Sequence, residues 1–324
     1  MRIKQITAVF IIFLISVSQL HAAQKTYRFG YLLSLDSQMG AAGKAFAEMV
    51  AKRTNGRIRI EQEPDSNLGG EVDMMKGVQQ GTVDIAFISG AALPNMVPDV
   101  GVFAIPFLFR DVNHAFAVFD GPIGKQYLEK ISEKGMVALA WGENGVRHIT
   151  NSKHPVNGPD DLKGLKLRLP QSDVMLAGFK AFGAEAAPLA FPQLYGALQT
   201  GQFDGEENPI ATIKSAKFNQ VQKYLSISGH VYDPAAILVS KDVWNELSAA
   251  DKAVFEEAAK AGAKASRVYS AEAQKSGIEE LRKAGMEVTE QVDRAKFVAA
   301  LQPVMPDYGK KFGAEIITAI QNTK

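Results

Sequence analysis

Cysteine is absent from this chain. That excludes disulfides, a thiol nucleophile and thiolate-held metal. Histidine is scarce, and His21, His114, His148, His154 and His230 fall at no spacing that suits zinc. No Gly-x-Ser-x-Gly elbow is present. Gly40-Ala41-Ala42-Gly43-Lys44 has too few residues between its glycines for a phosphate loop. Asp204 and Glu206 imitate an acid–base pair, but no other mark of an enzyme accompanies them. An excess of one charge is also missing, with 36 Lys and Arg against 35 Asp and Glu. Nothing here points to nucleic acid or an anionic membrane surface. There is no internal repeat, no low-complexity tract and no linker rich in proline or serine.

What is present begins at the N-terminus. Arg2 and Lys4 precede an apolar stretch from Ile6 to Val17, and small residues follow at Ala22 and Ala23. This is the layout of a secretory signal peptide over residues 1–23, with export to the periplasm as its consequence. The cleavage position is imperfect, because Leu20 or His21 stands three residues before it; an uncleaved anchor is the alternative. The apolar core is short for a membrane span, and no cysteine follows it for lipid attachment. The remaining chain of about 300 residues has no disulfide to hold it, so it needs a real core, and its length supports one large or two medium domains.

Strand and helix patterns alternate along that chain. Tyr27–Leu33, Arg57–Gln62, Asp84–Ile88, Met136–Trp141, Leu165–Leu169 and Ala235–Val239 read as strands. Ala41–Lys52 and Gly70–Gln80 read as helices. The alternation predicts an α/β fold with largely parallel strands. Ser248 is placed to cap a helix running from Ala250 to about Ala284, roughly 50 Å at 1.5 Å per residue. Such a helix exceeds the width of one domain and could tie two lobes together. The alternative is two helices broken at Gly262 or Gly277.

Arg168 stands out within Leu165-Lys166-Leu167-Arg168-Leu169-Pro170. A guanidinium is permanently charged and is rarely buried without an anion beside it. That anion is either a protein carboxylate (Asp160, Asp161 or Glu207) or a ligand carboxylate. The run Gly201-Gln202-Phe203-Asp204-Gly205-Glu206-Glu207-Asn208-Pro209 follows, and Pro209 holds Asn208 out of the α region. The Asn208 amide both donates and accepts, which suits a carboxylate or a hydroxyl.

The blocks Asp161–Pro170, Ala190-Phe191-Pro192-Gln193-Leu194-Tyr195 through Gly201, and Asp204–Pro209 resemble the periplasmic solute-binding proteins of tripartite ATP-independent periplasmic (TRAP) transporters, a family whose members bind dicarboxylates, sialic acid or sugar acids. Asn67–Glu71, Gln80–Asp84, Ile105-Pro106-Phe107 and Glu143–Arg147 are similar too, so the resemblance covers the chain after its N-terminal segment. It implies a two-lobed periplasmic binding protein fold (type II-like), with a ligand cleft between lobes and a long helix spanning both. Lobe one would hold residues 24–144 plus 234–273, and lobe two 145–233 plus 274–324. It also accounts for Asp204 and Glu206 without catalysis and implies no enzyme activity, no cofactor and no metal.

Carried over by motif, Arg168 would hold the ligand carboxylate, with Arg147 as a second basic contact, Asn208 as a polar contact and Phe191 as the ring against the ligand. Glu71, Asp36, Ser37, Gln38, Ser89 and Gln171 are further candidates. His230 and Tyr232 line the cleft or pack at the hinge. A set rich in acceptors and amides suits several ligand hydroxyls, hence a sugar acid such as a hexuronate or aldonate. Ser89 and Ala92 stand where sialic-acid binders carry glutamate and arginine, which counts against sialic acid. A C4-dicarboxylate, malonate or a 2-oxo acid stays open, as does a ligand sensor docking on a receptor. The partners implied are a small organic acid and the small and large membrane subunits of the transporter.

Overall fold

The computed structural model describes residues 24–324; the signal-peptide reading of residues 1–23 lies outside the described residues. Nine strands form one continuous sheet: β1 Lys25–Gly30, β2 Ile58–Glu63, β3 Ile85–Ser89, β4 Met136–Asn151, β5 Lys166–Leu169, β6 Glu185–Pro188, β7 Gly205–Pro209, β8 Tyr224–Ser240 and β9 Glu287–Thr289. Their order is β2-β1-β3-β8-β4-β7-β5-β6, with β9 beside β8. One half carries β1–β3 and the other β5–β7. Only β4 and β8, of 16 and 17 residues, run through both.

The sequence patterns mark only one end of each long strand. Met136–Trp141 continues to Asn151, and Ala235–Val239 begins at Tyr224. The expectation of a largely parallel sheet also needs correction at its centre. β1 pairs in parallel with β2 and β3, β5 with β6 and β7, and β8 with β9, but β4 and β8 pair antiparallel with each other, β4 with β7 and β8 with β3. Helical crossovers build each half; two reversed strands join them. Their pairing is irregular between Glu143 and Gly145 and between Arg147 and Ile149. Extra residues of this kind bend and twist a strand.

The spanning helix is unbroken from Ala249 to Lys283, and the Ser248 side chain accepts a hydrogen bond from the Asp251 amide at its start. Gly262 and Gly277 are points of close approach rather than breaks. A Cβ at Gly262 would lie 2.9 Å from the Ala42 carbonyl oxygen, and one at Gly277 2.5 Å from Ile210 Cγ2. The first contact is to the helix Gln38–Arg53 of the β1–β3 half, the second to the helix Ile210–Ser215 that follows β7. One helix thus seats against both halves. The final helices also touch both. Tyr308 donates to the Val174 carbonyl, while Ile320 and Gln321 accept from His114 and Arg110. Among the described residues no helix is long and apolar enough to cross a membrane.

Candidate functional site

The cavity at the centre lies where the strand ends of both halves face each other. It leaves a volume of only about 20 Å³ and is lined by Leu32, Leu33, Met39, Glu71, Ser89, Asn144, Arg147, Arg168, Pro170, Phe191, Asn208 and Thr212. Glu71 comes from the first turn of the helix Glu71–Gln80, and Ser89 ends β3. Arg168 lies near the end of β5, and Asn208 in β7 pairs with His148 of β4. Ligand groups commonly meet an open α/β sheet at such carboxyl ends.

Arg168 is only 3 % exposed. Its Nε donates to the Leu189 carbonyl at 2.8 Å, which fixes the plane of the guanidinium. No Asp or Glu among the described residues forms an ion pair with it, so Asp160, Asp161 and Glu207 are not its anion. Asp160 pairs with Lys163 and Glu207 with Arg147. Burial, and then the Arg147 charge, lower its pKa to about 10, which leaves it charged at neutral pH. A forked donor of this kind binds the two oxygens of a carboxylate side by side.

Arg147 is built differently. Its Nε and one terminal nitrogen donate to the two carboxylate oxygens of Glu207 at 2.6 and 2.8 Å. The same terminal nitrogen reaches the Glu207 carbonyl at 2.6 Å, and the other terminal nitrogen reaches Asp233 at 2.7 Å. That engages four of the five N–H donors an arginine carries. Burial alone would lower the Arg147 pKa and raise that of Glu207; the ion pair outweighs it in both, so Arg147 is raised and Glu207 lowered. Arg147 therefore stiffens the cavity wall and brings one free donor, with its charge already balanced.

Glu71 accepts from the Ser89 amide at 2.6 Å and the Ser89 hydroxyl at 3.0 Å. Burial raises its pKa to about 7 against the pull of those bonds. The Asn208 amide nitrogen donates to Glu206, which also accepts from Thr150 at 2.7 Å. An amide held this way turns its oxygen away from Glu206, since two acceptors do not bond each other. Burial raises Glu206 to about 7 as well.

The structure thus brings together Arg168, Arg147, Asn208, Phe191, Glu71 and Ser89. It does not bring Asp36, Ser37, Gln38, Gln171 or His230 to the cavity. Ser37 accepts from the Gly40 amide as a helix cap and donates to the Ser34 carbonyl. The Asp36 carboxylate accepts from Tyr269 on the spanning helix. Gln38 is buried, and its amide nitrogen lies within 3.0 Å of Asn144 and Thr212. Gln171 is exposed, and its backbone carbonyl accepts from Asn95. His230 reaches the site only through Glu207, at 2.9 Å. Local sequence showed these five near the right loops but not which way each side chain turned.

Leu32, Leu33, Met39, Asn144, Pro170 and Thr212 were missed. Asn144 and Pro170 lie inside blocks already singled out; period-two alternation from Arg168 reaches Pro170, but Asn144 is three residues from Arg147 and shares its face only because β4 is irregular between Glu143 and Gly145. The apolar three carry no sequence mark of a ligand site.

Two lobes joined by crossing strands, a cavity closed between them, and a charged fork in no ion pair with a protein carboxylate define a protein that captures a small anionic solute. Residues 29–311 match the bacterial extracellular solute-binding protein family 7. The chain belongs to that family, the solute-binding proteins of TRAP transporters, which bind rather than transform their ligands. It is 44 % identical over 303 residues to a solute-binding protein of Verminephrobacter eiseniae, covering 94 % of this chain and 90 % of that one. A TRAP periplasmic solute-binding protein from Polaromonas sp. JS666, solved with D-erythronate, superposes with a TM-score of 0.92 at 45 % identity, covering 93 % of this chain and 99 % of that one. The sugar-acid-binding protein of Advenella mimigardefordensis, in complex with galactonate, gives a TM-score of 0.90 at 36 % identity over 93 % and 98 % of the two chains.

Proposed function

We propose that this protein captures a sugar acid, an aldonate or hexuronate, in the periplasm and delivers it to the membrane subunits of a TRAP transporter. Residues 1–23 would direct export as a cleaved signal peptide. The observation that carries the ligand class is Arg168: charged, 3 % exposed and ion-paired with no carboxylate among the described residues, in one cavity with Glu71 and Asn208. In this reading Arg168 takes the ligand carboxylate, while Glu71, Asn208 and the last Arg147 donor meet its hydroxyls. Solved relatives carrying D-glucuronate, β-D-galacturonate and L-galactonate support it, as does a 2,3-diketo-L-gulonate-binding relative from Escherichia coli.

A C4-dicarboxylate is the second reading, because a relative was solved with succinate. Its second carboxylate would need a second unpaired cation, and Arg147 is already balanced by Glu207 and Asp233. A site that bonds hydroxyls also leaves buried groups unmet when those hydroxyls are missing. The test is one calorimetric series of D-erythronate, galactonate, glucuronate, succinate and malonate. The hydroxylated acids are expected to bind at least a hundredfold more tightly. Tight succinate with no measurable sugar acid would overturn the ligand class.

A further inference from the structure

On the opposite face of the β4–β8 ribbon lies a second cavity. Asn144 and Arg147 point into the central cavity, whereas Glu143, Gly145 and Val146 line this one. Its volume is about 340 Å³. One wall is Val112, Asn113 and Phe116 of the helix Val112–Asp120; the opposite wall is Pro209, Ile210 and Ala211 at the end of β7; its floor is Ser270, Ala271 and Gln274 of the spanning helix. These walls come from both halves of the molecule and meet at the strands that connect them.

The lining is mostly hydrocarbon, with two polar groups left unmet. Ser270 is 6 % exposed, and its hydroxyl is buried with no hydrogen-bond partner. Glu143 is 4 % exposed, and its carboxyl makes no hydrogen bond among the described residues; its backbone amide donates to Ser266. The charges around it are Arg267, Asp120 and Asp233. Arg267 is held by both carboxylate oxygens of Asp120 at 2.7 and 2.8 Å, so it is already balanced. Asp233 is bound to Arg147 on the other face. Burial raises the Glu143 pKa to about 8, against the pull of the nearby Arg267 charge. A buried carboxyl and a hydroxyl converging on an apolar cavity are the features of a small-molecule site, and an incoming cation would supply the missing partner.

We propose that this hinge cavity is a second binding site, that it takes a small apolar amine as its ammonium ion, and that its occupancy favours closure of the cleft. The ammonium would meet Glu143 and Ser270, and the hydrocarbon body Phe116, Val146 and Ile210. Opening the cleft on one face of a hinge ribbon brings the walls on the other face together, so a molecule held between them opposes opening. By linkage, an occupant that favours the closed form must strengthen solute binding by the factor by which the solute strengthens its own.

The test uses the mature protein and two probes of one shape, benzylamine and benzyl alcohol, titrated calorimetrically without any organic acid. Benzylamine is expected to bind at least tenfold more tightly. Glu143→Gln should reduce that preference below threefold, and Ala271→Phe, which fills the cavity from the helix surface, should remove both. With galactonate as solute, saturating benzylamine is expected to lower its dissociation constant several-fold in the wild type and not in Ala271→Phe. Equal binding of the two probes, no benzylamine binding, or unchanged binding in Ala271→Phe would overturn the site. Loss of galactonate binding in the presence of benzylamine would overturn the coupling, and place the amine in the central cavity. The direct titrations contain no sugar acid, so they decide the site even if the sugar-acid reading fails.

Discussion

Two arginines sit on one cavity wall and differ by what surrounds them. Arg147 meets Glu207 and Asp233; Arg168 meets only the Leu189 carbonyl. A ligand carboxylate bound by Arg168 makes paired bonds that the single ammonium of lysine cannot reproduce. Arg168→Lys is therefore expected to cost about 2–5 kcal/mol of ligand binding, with native circular dichroism retained. Calorimetry with galactonate checks this, and an affinity within tenfold of wild type would remove Arg168 from the carboxylate role. Arg168 was legible in the sequence because a charge between apolar neighbours breaks the strand pattern. Arg147 was legible as a site position but not in its bonding. Its partners Glu207 and Asp233 lie 60 and 86 positions away, on β7 and β8. Only the pairing of those strands with β4 brings the three together.

At the scale of elements, the long strands were read only in part because their hinge halves do not look like strands. Glu143-Asn144-Gly145 and Ser228-Gly229-His230 are polar and glycine-bearing, yet all but Gly229 are buried by cross-strand bonds and by the spanning helix. Local pattern carries no sign of that tertiary cover. The helix itself was legible almost to the residue, since a serine cap and a proline-free run are local signals. The role of its glycines was not. A methyl group at Gly262 has no room before the Ala42 carbonyl, whereas at Gly309, in the helix Met305–Phe312, nothing lies within 4 Å. Alanine is favoured over glycine inside a helix by up to about 1 kcal/mol, but overpacking costs about 1–3 kcal/mol. The same substitution is thus expected to change sign: Gly309→Ala raises the urea midpoint and Gly262→Ala lowers it. Midpoints moving in the same direction would show that propensity, not close packing, governs the spanning helix.

At the scale of the whole molecule, buried carboxyls set a pH dependence. Burial raises Glu71 and Glu206 to about 7 and Glu143 to about 8. Between the ordinary carboxyl value and these, the native protein holds protons that the unfolded chain has lost, so stability falls as pH rises. His148, lowered by burial to about 4, and His230, also lowered by burial, act in the opposite sense, but only up to the ordinary histidine value of about 6.5. Above that only the carboxyls still titrate. Urea denaturation of the ligand-free protein is expected to show stability decreasing between about pH 6.5 and 8. Glu143→Gln should remove part of that slope, on the order of 1 kcal/mol across the window; a flat or rising wild-type profile would contradict the assignment.

Closure is the larger motion. Arg168 and Asn208 from one half face Glu71 and Ser89 from the other across only about 20 Å³, and Gln38 of the β1–β3 half lies 3.0 Å from the Thr212 hydroxyl of the β5–β7 half. A solute cannot enter a cavity so enclosed without the halves separating. The bulged stretch of β4 and β8 and the helix seated on both halves are the elements able to absorb that rotation. Small-angle scattering is therefore expected to give a smaller radius of gyration with galactonate bound than without it, and Arg168→Lys should keep the larger value at the same galactonate concentration. Superimposable wild-type curves at saturating galactonate would mean that the free protein is already closed. Capture would then be limited by rare opening, and solute association would be slow and independent of concentration once opening became rate-limiting.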